Sequence, residues 1–186
     1  AIGLSKKFHA PILSSDSRQF YKEMCIGTAV PSKEELSAAP HFFIQHKSIV
    51  DRYSVGDFER EAMDFLKSHY VKNDVAIMVG GSGLYTDAVC KGLDKFPEVP
   101  HEIREDLNES LVNFGLEKLS DKLKELDPKA FHQIAIDNPV RVIRALEVCL
   151  ASGKPYSSFL NQPKKERPFL VHTINISAPR EALYER

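Results

Sequence analysis

Near the start of the chain one carboxylate stands framed by hydroxyls, in Ile12-Leu13-Ser14-Ser15-Asp16-Ser17-Arg18-Gln19-Phe20-Tyr21, leading on to Ile26-Gly27-Thr28. The apolar pair Ile12-Leu13 reads as a short strand that ends just before Asp16. In an α/β protein a residue at the C-terminal end of a strand faces the crevice where ligands bind. A carboxylate there can accept a proton from a substrate. Ser and Asp are also favoured helix N-caps, so the same segment reads equally as the start of a helix capped by Asp16.

A second group of interest follows a second apolar run. Val75-Ala76-Ile77-Met78-Val79 has the character of a strand buried on both faces; it ends in Gly80-Gly81-Ser82-Gly83 and passes into a helix from Leu84. Backbone N–H groups at such a turn suit an anion, although plain turn chemistry is the commoner explanation. Thr86 stands where a G-x-G-x-x-G fingerprint needs glycine, and G-x-x-x-x-G-K-[ST] occurs nowhere in the chain. Ser82 is the side chain to single out. Arg141 and Arg144, three apart, share a helix face. Cations near a helix N-terminus oppose its dipole, which points to an external anion such as phosphate, with a solvated face or pairing to Glu147 as the alternative. Arg104 poses the same question, while Lys164-Lys165-Glu166-Arg167 reads as a solvated loop.

These residues need elements to carry them. Phe42 to His46 suits a second strand, and Val55 to Tyr70 a helix with Phe58, Ala62, Phe65 and Leu66 on one face. Strand and helix therefore alternate up to about residue 95, the pattern of a parallel sheet with helices on both sides. Beyond Phe96 the pattern becomes helical. Ile103, Leu107, Leu111 and Phe114 form one stripe closed by Gly115. Leu116, Leu119, Leu123 and Leu126 form a second, stopped at Asp127-Pro128. Asn138-Pro139 then opens a third helix that ends at Gly153. Asn161 to Pro168 reads as a linker and Phe169 to Ser177 as a returning strand. At the start, Ala1, Leu4 and Phe8 lie on one helical face with no cap before them, and the helical pattern from Pro179 stops after about two turns, so both ends read as cut.

Composition narrows the class further. With 186 residues, 42% of them hydrophobic, the chain can bury a real core. A net charge of −1 excludes general polyanion binding, leaving only local patches for nucleic acid. Cys25, Cys90 and Cys149 lie far apart and read as reduced thiols, and the histidines form no H-x-x-x-H or H-E-x-x-H pair. No apolar run is long enough for a membrane span and no signal peptide is present, so a cytoplasmic protein is expected.

Taken in order, the motifs resemble one family. Ser15-Asp-Ser-Arg-Gln-Phe-Tyr-Lys-Glu-Met-Cys-Ile-Gly-Thr28 resembles the D-S-x-Q-x-Y-x-x-M-D-I-G-T signature of bacterial-type tRNA dimethylallyltransferases (tRNA isopentenyltransferases). Pro40-His41, Tyr53-Ser54 with Asp57-Phe58, Val79-Gly-Gly-Ser-Gly-Leu-Tyr85 and Asn138-Pro-Val-Arg-Val-Ile-Arg-Ala-Leu-Glu-Val148 match the same family in order. There are departures. Val30 stands where members carry lysine, Cys25 where they carry Asp, and Ser82 where many carry Thr. The family's phosphate-binding loop would precede Ala1 and is not in the chain, so the diphosphate-binding residues are unknown.

The resemblance implies an α/β fold with a P-loop-NTPase-like parallel sheet core and an inserted helical domain. Its boundaries are expected at 1–95 for the core, 96–165 for the tRNA-binding insertion and 166–186 for the return to the core. It implies transfer of a dimethylallyl group from dimethylallyl diphosphate, with Mg²⁺, to N6 of the adenosine 3′ of the tRNA anticodon. Asp16 matches the catalytic base. Ser17, Arg18, Gln19, Ser82, Arg104, Val140, Arg141, Val142, Ile143 and Arg144 match positions that bind tRNA, with Gln19 able to reach the adenine edge. The insertion would clamp the anticodon stem-loop, and a monomer fits the family. Two alternatives stay open: an adenylate isopentenyltransferase acting on a free nucleotide, and a non-catalytic RNA-binding remnant.

Overall fold

A computed structural model describes residues 1–162 and 166–185. These fall into two compact units, one from Ala1–Leu93 with the described part of Lys165–Arg186, the other from the described part of Asp94–Lys164. In chain order the first unit contains α1 (Ile2–Phe8), β1 (Ile12–Ser14), α2 (Lys33–Ala38), β2 (His41–Phe42), α3 (Val55–His69), β3 (Ile77–Val79) and α4 (Gly83–Lys91). The second contains α5 (His101–Leu126), α6 (Pro128–Gln133), α7 (Pro139–Ser152) and a 3-10 turn at Tyr156–Phe159, after which α8 (Arg180–Tyr184) returns to the first. The class is α/β, as expected.

The sheet is parallel and ordered β2-β1-β3, with β1 in the centre. Its register sets Ile12 against Ile77 and Ser14 against Val79, so β1 and β3 end level and their following turns leave the sheet side by side. The Ser15 N–H then donates to the Val79 carbonyl at 2.8 Å. Parallel strands need a crossover, and α3 lies in the one that carries the chain from β2 past β1 to β3. It starts in a capping box: Asp57 N donates to Ser54 Oγ, and Ser54 N returns the bond to the Asp57 carboxylate. Its inner face buries Phe58, Ala62 and Leu66 with Leu13, Phe20 and Val89.

Phe20 anchors the turn that carries Asp16. It is fully buried, stacks on Phe58 at 5.0 Å, and meets His46, Tyr53 and Tyr85 edge-on at 5.3–5.5 Å. Such ring pairs add roughly 0.5–1.5 kcal/mol each beyond their buried area. The chain on either side is held by a short parallel pairing with residues 45–47, through Gln45 N to the Gln19 carbonyl and Lys47 N to the Phe20 carbonyl.

In the second unit α5 and α7 pack around Leu107, Leu119, Leu123, Val142, Ala145 and Leu146. Gly115, at φ 79° and ψ 173°, divides α5 into two helical halves, as the sequence spacing led one to expect. The cap of α7 is also as read: Asn138 Oδ1 accepts from Val140 N at 3.0 Å and Arg141 N at 3.3 Å, with Pro139 in the first turn and Gly153 left-handed beyond the end.

Several expectations fail here. Strand β2 stops at Phe42, because Phe43 and Gln45 adopt left-handed backbone conformations that break an extended run. Val75–Val79 is not buried on both faces; only Ile77–Val79 pairs, on one side, and Val79 is exposed. Phe169–Ser177 forms no strand among the described residues, for it has no ladder partner there, and Leu170, Ile174 and Ile176 are exposed. The helix read at the start of the chain is present as α1, with Leu4 and Phe8 exposed and Ser5 buried, its hydroxyl donating to the Ala10 carbonyl at 2.6 Å. Phe114, beside the Gly115 break, is exposed. Of the 164–167 charge run, Lys164 and Lys165 lie outside the described residues, as does residue 165 at the expected domain boundary. Arg167 is not solvated: it donates to Glu59 and, at 2.6 Å, to the Ala88 carbonyl.

Candidate functional site

Asp16 follows the central strand directly, and no helix follows it, which removes the helix-cap reading. What it caps is a turn: Arg18 N donates to Asp16 Oδ1 at 3.0 Å and Gln19 N to the Asp16 carbonyl at 3.1 Å. Asp16 N in turn donates to Ser14 Oγ at 3.2 Å. Oδ2 has no hydrogen-bond donor among the described residues, and the side chain is half-buried. A carboxylate with one oxygen fixed and the other open is arranged to receive a proton.

Hydroxyl pairs hold the turn on both sides of Asp16. Ser15 Oγ lies 2.9 Å from Thr86 Oγ1, while Ser82 Oγ accepts from Ser17 N at 3.0 Å and lies 3.1 Å from Ser17 Oγ. Ser82 and Thr86 are four apart at the start of α4 and so face the same way. The two turns meet so closely that only glycine fits at position 80. A Cβ there would lie 2.5 Å from the Ser15 carbonyl carbon and Oγ and 2.6 Å from Asp16 N.

Gln19 takes a different role from the one expected. Its Oε1 accepts from Ser14 Oγ at 2.8 Å and its Nε2 donates to the carbonyls of Thr28 and Ala29 at 3.1 and 2.9 Å. Both amide hydrogens thus brace the 28–29 loop, and neither is left to read an adenine edge in this conformation. Arg18 is exposed. Beside these residues opens a cavity of about 400 Å³ with a mixed lining, Ile12, Ala29, Ile44 and Val79 together with Ser14, Gln19, Glu35 and His41.

The other predicted residues lie in the second unit, on α5 and α7. Glu147 is fully buried, yet carries a charge. Arg104 donates to it through Nε and, at 2.9 Å, through Nη2; Arg144 donates through Nη1 at 3.3 Å. Burial pushes the Glu147 carboxyl up, but the hydrogen bonds and charges of Arg104, then Arg144, outweigh it and hold the group below its ordinary range. Pairing with Glu147 therefore accounts for both arginines. Arg144 also lies 5.1 Å from the centre of the Phe96 ring, which stacks on Tyr156. Arg141 and Val140 are exposed on the first turn of α7. Val142 and Ile143 are not surface residues but core, because the stripe that faces α5 passes through them; their side chains are closed to a ligand.

Sequence reasoning missed three groups. Thr86 was noted only as a non-glycine, although its spacing from Ser82 marks a shared face. Glu61 gathers Lys47 Nζ at 2.7 Å, Tyr53 Oη at 2.9 Å and His46 Nε2 at 3.7 Å behind Phe20. Burial pushes the Tyr53 phenol up, with Glu61 adding to it, and burial followed by the Lys47 charge pulls His46 down. Asp127, read as a helix stop, is buried; it accepts from Ala130 N at 3.0 Å, Ser157 N at 2.6 Å and Ser157 Oγ at 2.9 Å. Only the first of these bonds, a helix cap before Pro128, left a local signal.

A family model described as IPP transferase matches residues 19–186. A tRNA dimethylallyltransferase of Christiangramia forsetii is 54% identical over 186 residues, covering 100% of this chain and 62% of that protein. One of Flavobacterium psychrophilum is 52% identical over 192 residues, with the same coverage. This chain thus spans 62% of the length of these relatives. Among solved structures, a eukaryotic dimethylallyltransferase acting on tRNA superposes with a TM-score of 0.73 at 25% identity, over 90% of this chain and 42% of its own.

Proposed function

The chain belongs to the IPP transferase family, and on that premise we propose that it takes part in transferring a dimethylallyl group from its diphosphate to N6 of the adenosine 3′ of the tRNA anticodon. The observation that carries this reading is the open Oδ2 of Asp16 at the C-terminal end of the central strand, on a turn clasped from both sides. The exocyclic amine of adenine is a poor nucleophile because its lone pair is conjugated with the ring. As N6 bonds to C1 of the dimethylallyl group, the C1–O bond breaks, the diphosphate leaves with the electron pair, and Asp16 takes the N6 proton. A base so placed contributes about 10²–10⁴ in rate. The adenine must leave the anticodon-loop stack to reach it, at about a few kcal/mol.

The described residues hold no group of three or more His, Cys, Asp or Glu able to bind a metal, and the hydroxyls around Asp16 already pair with one another. They do not fit a protein-built Mg²⁺ cage. A Mg²⁺ bound chiefly by phosphate oxygens and water would enter with the diphosphate, and no step here passes through it. We assign tRNA contact to Ser17, Arg18 and Ser82 around Asp16, and to Arg104, Val140, Arg141 and Arg144 on the 96–165 insertion. Val142 and Ile143 contribute by fixing α7. A cytoplasmic monomer fits this role; no helix among the described residues is long and apolar enough to cross a membrane.

The test is Asp16→Ala in a protein of the relatives' full length that carries this chain. Turnover should fall by about 10² or more while tRNA affinity stays within a few-fold. Unaltered single-turnover rates would remove Asp16 as the base.

A further inference from the structure

A fully enclosed carboxylate is an unusual thing to build into a stretch of helix where Ala145, Leu146 and Val148, its neighbours in sequence, are apolar and equally buried. Replacing a buried ion pair by apolar residues of similar volume is often neutral or stabilising, so stability alone does not account for Glu147. Its two partners are not enclosed. Their side chains remain 56% exposed at Arg104 and 39% exposed at Arg144. The negative charge is thus hidden while two positive ones are presented outward, with one net positive charge.

We propose that Glu147 is a positioning residue which, with the Phe96 ring, holds Arg104 and Arg144 as a preformed phosphate-binding fork for RNA. This rests on the tRNA reading above. Glu147 grips Nε and Nη2 of Arg104 and Nη1 of Arg144, leaving Nη1 of the first and Nε and Nη2 of the second without an acceptor among the described residues. The Phe96 ring, its centre 5.1 Å from the Arg144 guanidinium carbon, gives that group a second contact that restricts its movement. A planar guanidinium held this way has lost its rotamer freedom before a phosphate arrives, so less ordering remains to be done on binding. The plainer role, a clip joining α5 to α7, predicts a different response to mutation, and electrostatics fixes the sign. Removing a negative charge should by itself strengthen RNA binding and steepen its salt dependence. Loss of positioning does the reverse.

The experiment measures binding of an anticodon stem-loop RNA to this chain across a salt titration, with folding followed by circular dichroism. Glu147→Gln is expected to weaken binding about tenfold and to make the slope of log affinity against log salt shallower by ~0.7, one phosphate contact. Binding by folded Glu147→Gln that equals or exceeds wild type overturns the proposal. Should that variant not fold, Phe96→Leu replaces it, since leucine keeps apolar volume and loses the ring face. A drop of about threefold in affinity supports the positioning role, and an unchanged affinity overturns it. The double variant Arg104→Ala/Arg144→Ala separates the two ways of failing. If it binds as wild type does, the tRNA reading of these arginines falls; if it weakens while Glu147→Gln does not, only the positioning role falls.

Discussion

Gly80→Ala is the sharpest probe of how the Asp16 turn is held. The added methyl would sit 2.5 Å from the Ser15 carbonyl carbon. Nonbonded carbons rest at about 3.5 Å, so the two turns must part by about 1 Å. It meets the backbone at Ser15 C and Asp16 N as well as Ser15 Oγ, so moving that one hydroxyl cannot relieve the clash. Overpacking of this kind costs about 1–3 kcal/mol, which for a chain of 186 residues corresponds to a melting temperature lower by about 2–12 °C. The effect on chemistry should be the larger, because a 1 Å displacement of a reacting group can cost about 10² in rate. Gly81→Ala and Gly83→Ala are the controls, for a Cβ at either position meets nothing within 4 Å. The assay is thermal melting together with kcat and KM for the adenosine acceptor. A Gly80→Ala protein that melts and turns over like the Gly81→Ala control would refute the view that this contact sets the position of Asp16.

Thr86→Val removes the hydroxyl facing Ser15 at constant shape; kcat should fall about tenfold with KM little changed, and Thr86→Ser should restore it. The Glu147 carboxyl is held below its ordinary value of 4.5, so its contribution to stability is complete above that pH and is lost as pH falls through the depressed folded value. Acid melts followed by circular dichroism should therefore show the second unit losing stability as pH drops below 4.5, and Glu147→Gln should flatten that dependence.

What could be read from the sequence was what neighbours dictate. Asp16 at a strand end, the Asn138-Pro139 cap and the Gly115 break all follow from residues within a few positions of one another. What escaped was long-range. Ser15 meets Thr86 across 71 positions and Arg104 meets Glu147 across 43. No local pattern reports such partners. Charge patterning singled out Arg104 and Arg144 and offered Glu147 as a partner on α7, but not that Glu147 is buried or that it reaches Arg104 on α5. The same limit explains Phe169–Ser177, where β propensity describes a preference for a pleated surface but pairing requires a second strand. It also explains Val142 and Ile143, which a motif groups with Arg141 although helix geometry turns them inward.

The frame around Asp16 consists of hydroxyls, an amide and backbone groups: Ser14 with Gln19, Ser15 with Thr86, Ser17 with Ser82. None of these ionises between acid and mildly alkaline pH, and none depends on salt as an ion pair does. The carboxylate of the turn is therefore framed by hydrogen bonds that are themselves indifferent to protons. Any acid-triggered loosening of the turn must then begin outside this frame, at groups such as His46 and Glu61 beside the Phe20 anchor.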